Sequence, residues 1–451
     1  MKRRSALLTC LAPVTGFAPA LSGQKPDIMV RLSGGQQATI AIPDFRGSGD
    51  AQPWMQLFNL TLFDEVQAAG LFKMAPKSFF PLTIPQQPQD WKAPVGGRSQ
   101  GPWLTDWSGP NLKANYMAMG YTAIQNGQIV LFGWLYDVTQ PDIANAQMFG
   151  KIYFGSINEA GTKKIAREFA ADILTRFGAK SLIGSSIYFV SNRSGAKEIW
   201  SMDYDGSGQK QVTRFKSICI TPALSRDNSK LAFTSYLRGN PGITAMTADS
   251  GRMLTFVNPE SSVVATPEFS PDGKLILFST KIGGGYANIF SANSDGSNLN
   301  RITTARAVEI EPKINPKNSS EVVFVSGRSG QGQVYRMNMD GANIERLTDG
   351  SGQAANPSWH PGGQIIAFSW NRGFEPGNFN IFMMEVAKRE LTQLTHGAGR
   401  NLNPVWGPDG LHLVFCSTRG GTSQIWTMLA DGTQLKQLTT TGRNEMPVWT
   451  H

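Results

Sequence analysis

Cysteine and histidine are scarce in this chain: 451 residues contain three Cys and four His. So few thiols exclude a disulfide-stapled scaffold and a cysteine-rich metal module. Past the N-terminal leader no segment approaches the ~20 consecutive apolar residues that a membrane span needs. Lys and Arg form no dense run alternating with aromatics, so the formal charge of +9 is scattered. Nucleic acid is therefore not an expected partner. The glycine clusters, Gly283-Gly284-Gly285 among them, lack the Gly-Lys-Ser/Thr ending of a phosphate loop and read as turns.

What the sequence does contain is a repeat. Asn403-Pro404-Val405-Trp406-Gly407-Pro408-Asp409-Gly410 recurs as Thr266-Pro267-Glu268-Phe269-Ser270-Pro271-Asp272-Gly273 and as Asn356-Pro357-Ser358-Trp359-His360-Pro361-Gly362-Gly363. Degenerate copies lie at Thr221-Pro222 and Glu311-Pro312, and a truncated one at Met446-Pro447-Val448-Trp449. The leading prolines 222, 267, 312, 357, 404 and 447 are spaced by 45, 45, 45, 47 and 43 residues. That is the period of a four-stranded propeller blade, and six anchors imply six blades.

Each repeat continues with a short apolar strand such as Leu275-Ile276-Leu277-Phe278, then a Ser-x-Arg-x-Gly turn as in Ser326-Gly327-Arg328-Ser329-Gly330. An Asp-Gly turn follows, at Asp205-Gly206, Asp295-Gly296, Asp340-Gly341 and Asp431-Gly432. Asp-Gly supplies the positive φ that a tight hairpin requires. The repeat closes on Val212-Thr213, Ile302-Thr303, Leu347-Thr348, Leu394-Thr395 or Leu438-Thr439. The first full strand set, near Ile187, lacks its own proline motif, so Pro447 to His451 are expected to supply that blade's inner strand and close the ring, abolishing the sheet edges.

At the other end, Met1-Lys2-Arg3-Arg4, an apolar run from Ala6 to Phe17 and the small-x-small Ala18-Pro19-Ala20 read as a signal peptide over 1–20. Arg3-Arg4 hints at twin-arginine export, and Cys10 offers a rival lipobox reading. Cleavage would remove Lys2, Arg3 and Arg4 and lower the formal charge from +9 to +6. Cys219 and Cys416 would remain, read as separate buried thiols, with pairing in an oxidising compartment as the alternative. Residues 21–178 read as a small α/β domain. Thr39 to Phe45 alternates like a strand, and Trp54, Leu57, Phe58, Leu62, Val66 and Ala69 share a helical face stopped by Gly70. Asn126-Gly127 joins two strands as a hairpin. Residues 77–112, rich in Pro, Gly and Trp without periodicity, read as a long irregular surface insertion. Residues 179–451 are assigned to the propeller.

Two chemical patterns fail on context. Gly97-Arg98-Ser99-Gln100-Gly101 matches a nucleophile elbow, but it lies in the insertion and none of His360, His396, His412 and His451 stands beside a recognisable acid. Asp203-Tyr204-Asp205-Gly206-Ser207-Gly208 begins like a calcium loop, yet its twelfth position is Arg214 rather than a bidentate Glu. No catalytic residue, metal site or cofactor is expected.

The order of export signal, small α/β domain and six Pro-x-(Phe/Trp)-Ser-Pro-Asp-Gly repeats resembles the TolB family, periplasmic propeller proteins of the Tol-Pal system. The resemblance implies a non-catalytic adaptor that binds a Pal-like lipoprotein at one propeller mouth and a TolA-like inner-membrane protein through its N-terminal segment. It implies roles in outer-membrane integrity and constriction during division, with other outer-membrane proteins as further partners. Carried over residue by residue, the Pal-facing positions are Val263, Val264, Ala265, Thr266, Glu309, Ile310, Glu311, Ala355, Asn356, Leu402 and Asn403. Some family members carry His where this chain has Val263, and the 77–112 insertion departs from the compact family domain. The TolA-facing segment is Leu21, Ser22, Gly23, Gln24, Lys25, Pro26 and Asp27, within a stretch reaching Leu32. For the mouth residues the alternative is that Thr, Asn and Glu before Pro only satisfy backbone groups. Two rival functions stay open: a propeller lyase or hydrolase using the channel of a basic ring, and a TolB-like module serving another envelope machine.

Overall fold

The structure, a computed structural model, describes residues 37–450 except 262, 373–377 and 398. The residues read as a signal peptide, 1–20, and the Leu21–Asp27 segment fall outside the described residues, as does His451.

Six four-stranded antiparallel sheets form the propeller. One blade shows the pattern: Asn401–Trp406 runs along the channel, followed outward by His412–Ser417, Gln424–Leu429 and the short Lys436–Gln437. The ring closes as the truncated motif implied. Strand Asn444–Trp449 pairs with Ser186–Ser194, so the last strand completes the first blade. Ser186 N–H donates to Thr450 Oγ1 at 2.8 Å, and Trp449 Nε1 to Ser185 Oγ at 2.9 Å.

The motif residues each do a physical job. At every leading proline the inner strand carries a β-bulge, seen as a register shift between residues 220/223, 265/268, 310/313, 355/358, 402/405 and 445/448. Proline has no N–H to give a ladder, so a bulge is where a strand tolerates it. In the second strand the residue facing the bulge is always phenylalanine: Phe189, Phe233, Phe278, Phe324, Phe368 and Phe415, all fully buried. The closing threonine explains itself too. Thr213, Thr303, Thr348, Thr395 and Thr439 each accept, through Oγ1, the backbone N–H of Ile199, Ile289, Val334, Ile381 and Ile425 at 2.8–3.0 Å. The blade that lacks Leu-Thr uses Asn258 Oδ1, accepting from Ile243 N at 2.7 Å. In the Asp-Gly turns, Gly296 and Gly341 have φ of 84° and 85°, and a Cβ there would collide with the carbonyls of Val257 and Ile302 in the adjoining blade. Glycine is thus required for contact between blades as well as for turn geometry.

The α/β domain is one sheet with two covered faces. Strands β1 (Thr39–Ala41), β2 (Arg46–Gly47), β3 (Lys73–Met74), β4 (Tyr116–Gln125), β5 (Gln128–Asp137) and β6 (Gln147–Ser156) order as β3-β1-β4-β5-β6, with β2 also on β4. Asn126 and Gly127, at φ 50° and 72°, turn β4 into β5. Helices α1 (Met55–Ala68) and α2 (Glu159–Arg176) bury Phe58, Leu62, Val66, Ile165, Phe169 and Ile173 against one face. The insertion corrects the expectation of a loose surface loop. Trp91, Leu104, Trp107 and Leu112 are buried and, with Met117, Met119 and Tyr136, form a second core on the opposite face. The sheet's other side is apolar, and leaving it wet would waste burial worth about 25 cal/mol per Å².

Candidate functional site

Each inner strand crosses the ring in the same direction, which distinguishes the two mouths. The turn after it, such as 407–411, faces the α/β domain: His412 Nε2 lies 2.9 Å from Ala68 O at the end of α1. That opening is the proximal mouth. The Ser-x-Arg turns and the starts of the inner strands form the distal mouth, directed away from the α/β domain.

The family-implied positions converge at the distal end, but their side chains divide. Val264 and Glu309 are buried, whereas Val263, Ala265, Ile310, Ala355 and Leu402 are half-buried. Glu309, 0% exposed, ion-pairs with Arg328 and accepts from Ser326 Oγ at 3.0 Å and Asn288 Nδ2 at 3.1 Å. This corrects the expectation that the Glu309 side chain meets a partner; it fastens two blades. The same clamp recurs where Arg193 donates to Ser191 Oγ (2.9 Å) and Asn444 Oδ1 (3.0 Å), and Arg419 to Ser417 Oγ (3.0 Å) and Asn401 Oδ1 (3.1 Å). Each guanidinium lies over two aromatic rings: Phe189 and Trp200, Phe324 and Tyr335, Phe415 and Trp426. Cation–π attraction holds the fork in place.

The residues before the prolines form a hydrogen-bonded belt around the channel. Thr221, Thr266, Glu311, Asn356, Asn403 and Met446 all have left-handed φ, between 51° and 57°. Along the belt, Glu311 N–H points to Thr266 Oγ1 at 3.4 Å, Asn356 N–H donates to Glu311 Oε2 at 2.6 Å, and Asn403 N–H donates to Asn356 Oδ1 at 3.3 Å. Asn356 Nδ2 also donates to Glu311 Oε1 at 2.9 Å. Burial pushes the Glu311 carboxyl up, opposed by these Asn356 donors and by Lys313. The side chains of Thr266, Glu311 and Asn356 therefore satisfy backbone groups of the next blade. One level deeper, Lys313 Nζ and Glu268 Oε2 pair at 2.6 Å between neighbouring blades.

The sequence reading missed the set that joins the two domains. Glu65 on α1 and Arg167 on α2 lie 3.0 Å apart, Arg167 also pairs with Asp205, and the Tyr204 hydroxyl donates to Glu65. Burial pushes the Glu65 carboxyl up, while Tyr204 and Arg167 draw it down. Asp205, read as a turn residue, does two things: its carboxylate also accepts from Ser207 N at 2.9 Å. Nearby, His412 Nδ1 sits 2.6 Å from Asp409 Oδ2. Burial alone would raise the Asp409 carboxyl, but His412 and the N–H groups of Leu411 and His412 hold it below the ordinary range. No local pattern announces partners 139 or 344 residues apart.

The weighed chemical motifs fall elsewhere. Ser99 is exposed and its hydroxyl donates to Gly101 O at 3.0 Å. Cys219 and Cys416 are unpaired and buried, their thiols pushed up by burial to about 12 and about 11, so both are poor nucleophiles. Among the described residues no group of three His, Cys, Asp or Glu side chains could hold a metal ion, and no helix is long and apolar enough to cross a membrane.

Fold and site together define a closed six-bladed β-propeller with a small α/β domain fastened against one mouth. Comparison with known proteins supplies the family. A family model described as the TolB beta propeller domain matches residues 173–375 and 349–451, more than half of the chain, which belongs to the TolB β-propeller family. A TolB homolog of Chlorobium chlorochromatii (strain CaD3) is 30% identical over 266 residues, 57% of this chain and 55% of the relative. The Tol-Pal system protein TolB of Desulfosudis oleivorans is 30% identical over 148 residues, 32% of each chain. The chain spans about half the length of the curated relatives it matches first. The crystal structure of TolB from Acinetobacter baumannii superposes with a TM-score of 0.73 over 92% of this chain and 97% of that one; at 19% identity it shows the shared fold.

Proposed function

We propose that this protein is a non-catalytic periplasmic adaptor of the Tol-Pal system, exported by the 1–20 signal and cleaved near Ala20. On this reading the distal mouth takes a Pal-like peptidoglycan-associated lipoprotein. The Leu21–Asp27 segment takes a TolA-like inner-membrane protein, and the pair supports outer-membrane integrity and constriction during division. The observation that carries it is the distal rim. Ala265, Ile310, Ala355 and Leu402 stand half-buried around one opening, on strands that the Arg clamps and the belt hold rigid. A rigid face with a modest apolar collar suits recognition of a folded partner.

The test is calorimetric titration of the mature chain with the soluble domain of the host's Pal-like lipoprotein. One-to-one binding is expected. Ala355→Arg, which adds bulk at the rim without removing a hydrogen bond, is expected to weaken it at least tenfold, about 1.4 kcal/mol, with an unchanged melting temperature. Glu309 is unsuitable for this test because its charge reversal would unfasten blades. Unchanged affinity of Ala355→Arg would move the site off the distal mouth, and no binding by folded protein would overturn the adaptor reading.

A further inference from the structure

The proximal mouth opens into a cavity of about 750 Å³. Its charged lining residues are Lys180, Arg226, Lys313 and Lys317 against Glu268 and Asp409. Both acids are already engaged, Glu268 by Lys313 at 2.6 Å and Asp409 by His412 at 2.6 Å. Asp227, beside Arg226, is outside the lining; its oxygens are taken up within its own turn, accepting from Ser225 Oγ at 2.5 Å and Ser229 Oγ at 2.7 Å. The cations differ. Lys180, Arg226 and Lys317 are exposed and make no ion pair among the described residues. They come from separate elements: the linker after α2, the first turn of the second blade and the first turn of the fourth.

Four cations against two carboxylates leave the lining a formal net charge of +2 with histidine neutral, and over walls that include the buried indoles of Trp359 and Trp406 this focuses a positive potential into the cavity. Low-dielectric walls strengthen that field. We propose that the proximal cavity binds a small, multiply charged anion bearing carboxylate or phosphate groups. Arg226 presents a planar fork suited to two oxygens of one group. Lys317 and Lys180 meet the ligand's other charges from across the opening. The site lies on the opposite side of the ring from the distal rim and does not rest on the adaptor reading.

The test is calorimetric titration of the purified full chain with citrate and, separately, with pyrophosphate, at fixed ionic strength. One-to-one binding of at least one probe is expected, and it weakens as salt rises. Preference between the probes identifies the carboxylate or the phosphate class. The pair Arg226→Gln and Lys317→Gln is expected to lower affinity at least tenfold. Lys92→Gln, which removes an exposed charge in the 77–112 insertion, outside the cavity lining and without an ion pair among the described residues, should leave affinity unchanged. All variants sit at exposed positions, and an unchanged melting temperature confirms folding. Absence of binding by both anions overturns the proposal. So does equal binding by the double variant, or an equal loss in Lys92→Gln, which would mean diffuse charge only.

Discussion

At the scale of single residues, the six positions before the repeat prolines reverse the usual ranking of substitutions. Asn356 has φ 55°, where a Cβ costs roughly 1–2 kcal/mol in any residue without Asn's local hydrogen bonding. Asn356→Ala and Asn356→Gly both lose the side-chain bonds to Glu311 Oε1 and Asn403 N–H, yet the glycine variant should be more stable by about 1 kcal/mol. Urea unfolding midpoints decide this, and a more stable Ala variant would contradict it. This strain was not legible in the sequence, because a residue before proline is ordinarily extended and Thr, Glu or Met carries no left-handed signal. A second residue prediction concerns Asp227, whose carboxyl is lowered to about 2 by the Ser225 and Ser229 hydroxyls and the Ser229 N–H. A depressed folded value means that its contribution is present above the ordinary carboxylate value, near ~3.9, and is lost as pH falls through about 2. Asp227→Asn should therefore destabilise at neutral pH, by on the order of 1 kcal/mol or less after discounting for solvent screening. The difference should vanish in acid denaturation curves measured towards pH ~2.

At the scale of the element, the blade was largely readable because its devices are local and repeated. Pro marks the bulge, Leu-Thr the third-strand acceptor, and Ser-x-Arg the clamp. The partner of each clamp was not readable, since it sits on the adjacent inner strand and varies from Glu309 to Asn401 to Asn444. That variation makes the Glu309 blade the most sensitive. Arg328→Met would leave a fully buried carboxylate with only Ser326 and Asn288 as donors, a loss of about 3–5 kcal/mol. Arg419→Met, facing the neutral Asn401, should lose about 1–2 kcal/mol by the ordinary hydrogen-bond scale. Equal losses in thermal unfolding would refute the distinction. The 77–112 insertion was misjudged for a related reason. Trp91 and Trp107 follow no period, so the Pro, Gly and Trp content read as a surface loop, and nothing in the spacing marked them as cover for a sheet face.

At the scale of the whole molecule, the two domains meet through Glu65, Arg167, Tyr204 and Asp205, with His412 and Asp409 beside them. Arg167→Ala would leave two carboxylates facing each other without their shared cation. Protease nicking within the 177–185 linker should rise several-fold while the melting of the propeller stays unchanged; unchanged nicking would show that the ion network does not hold the domains together. The closure of the ring carries a different consequence. Ser186 and Thr450 are 264 residues apart along the chain and hydrogen-bonded in the fold. A chain emerging from its N-terminus can assemble the intermediate blades in turn, but the Ser186–Ser194 strand keeps a bare flank until Asn444–Trp449 arrives. Commitment to the native ring is thus deferred until residues 444–449 have been made, and a growing chain stalled short of that strand offers a sticky edge to its neighbours.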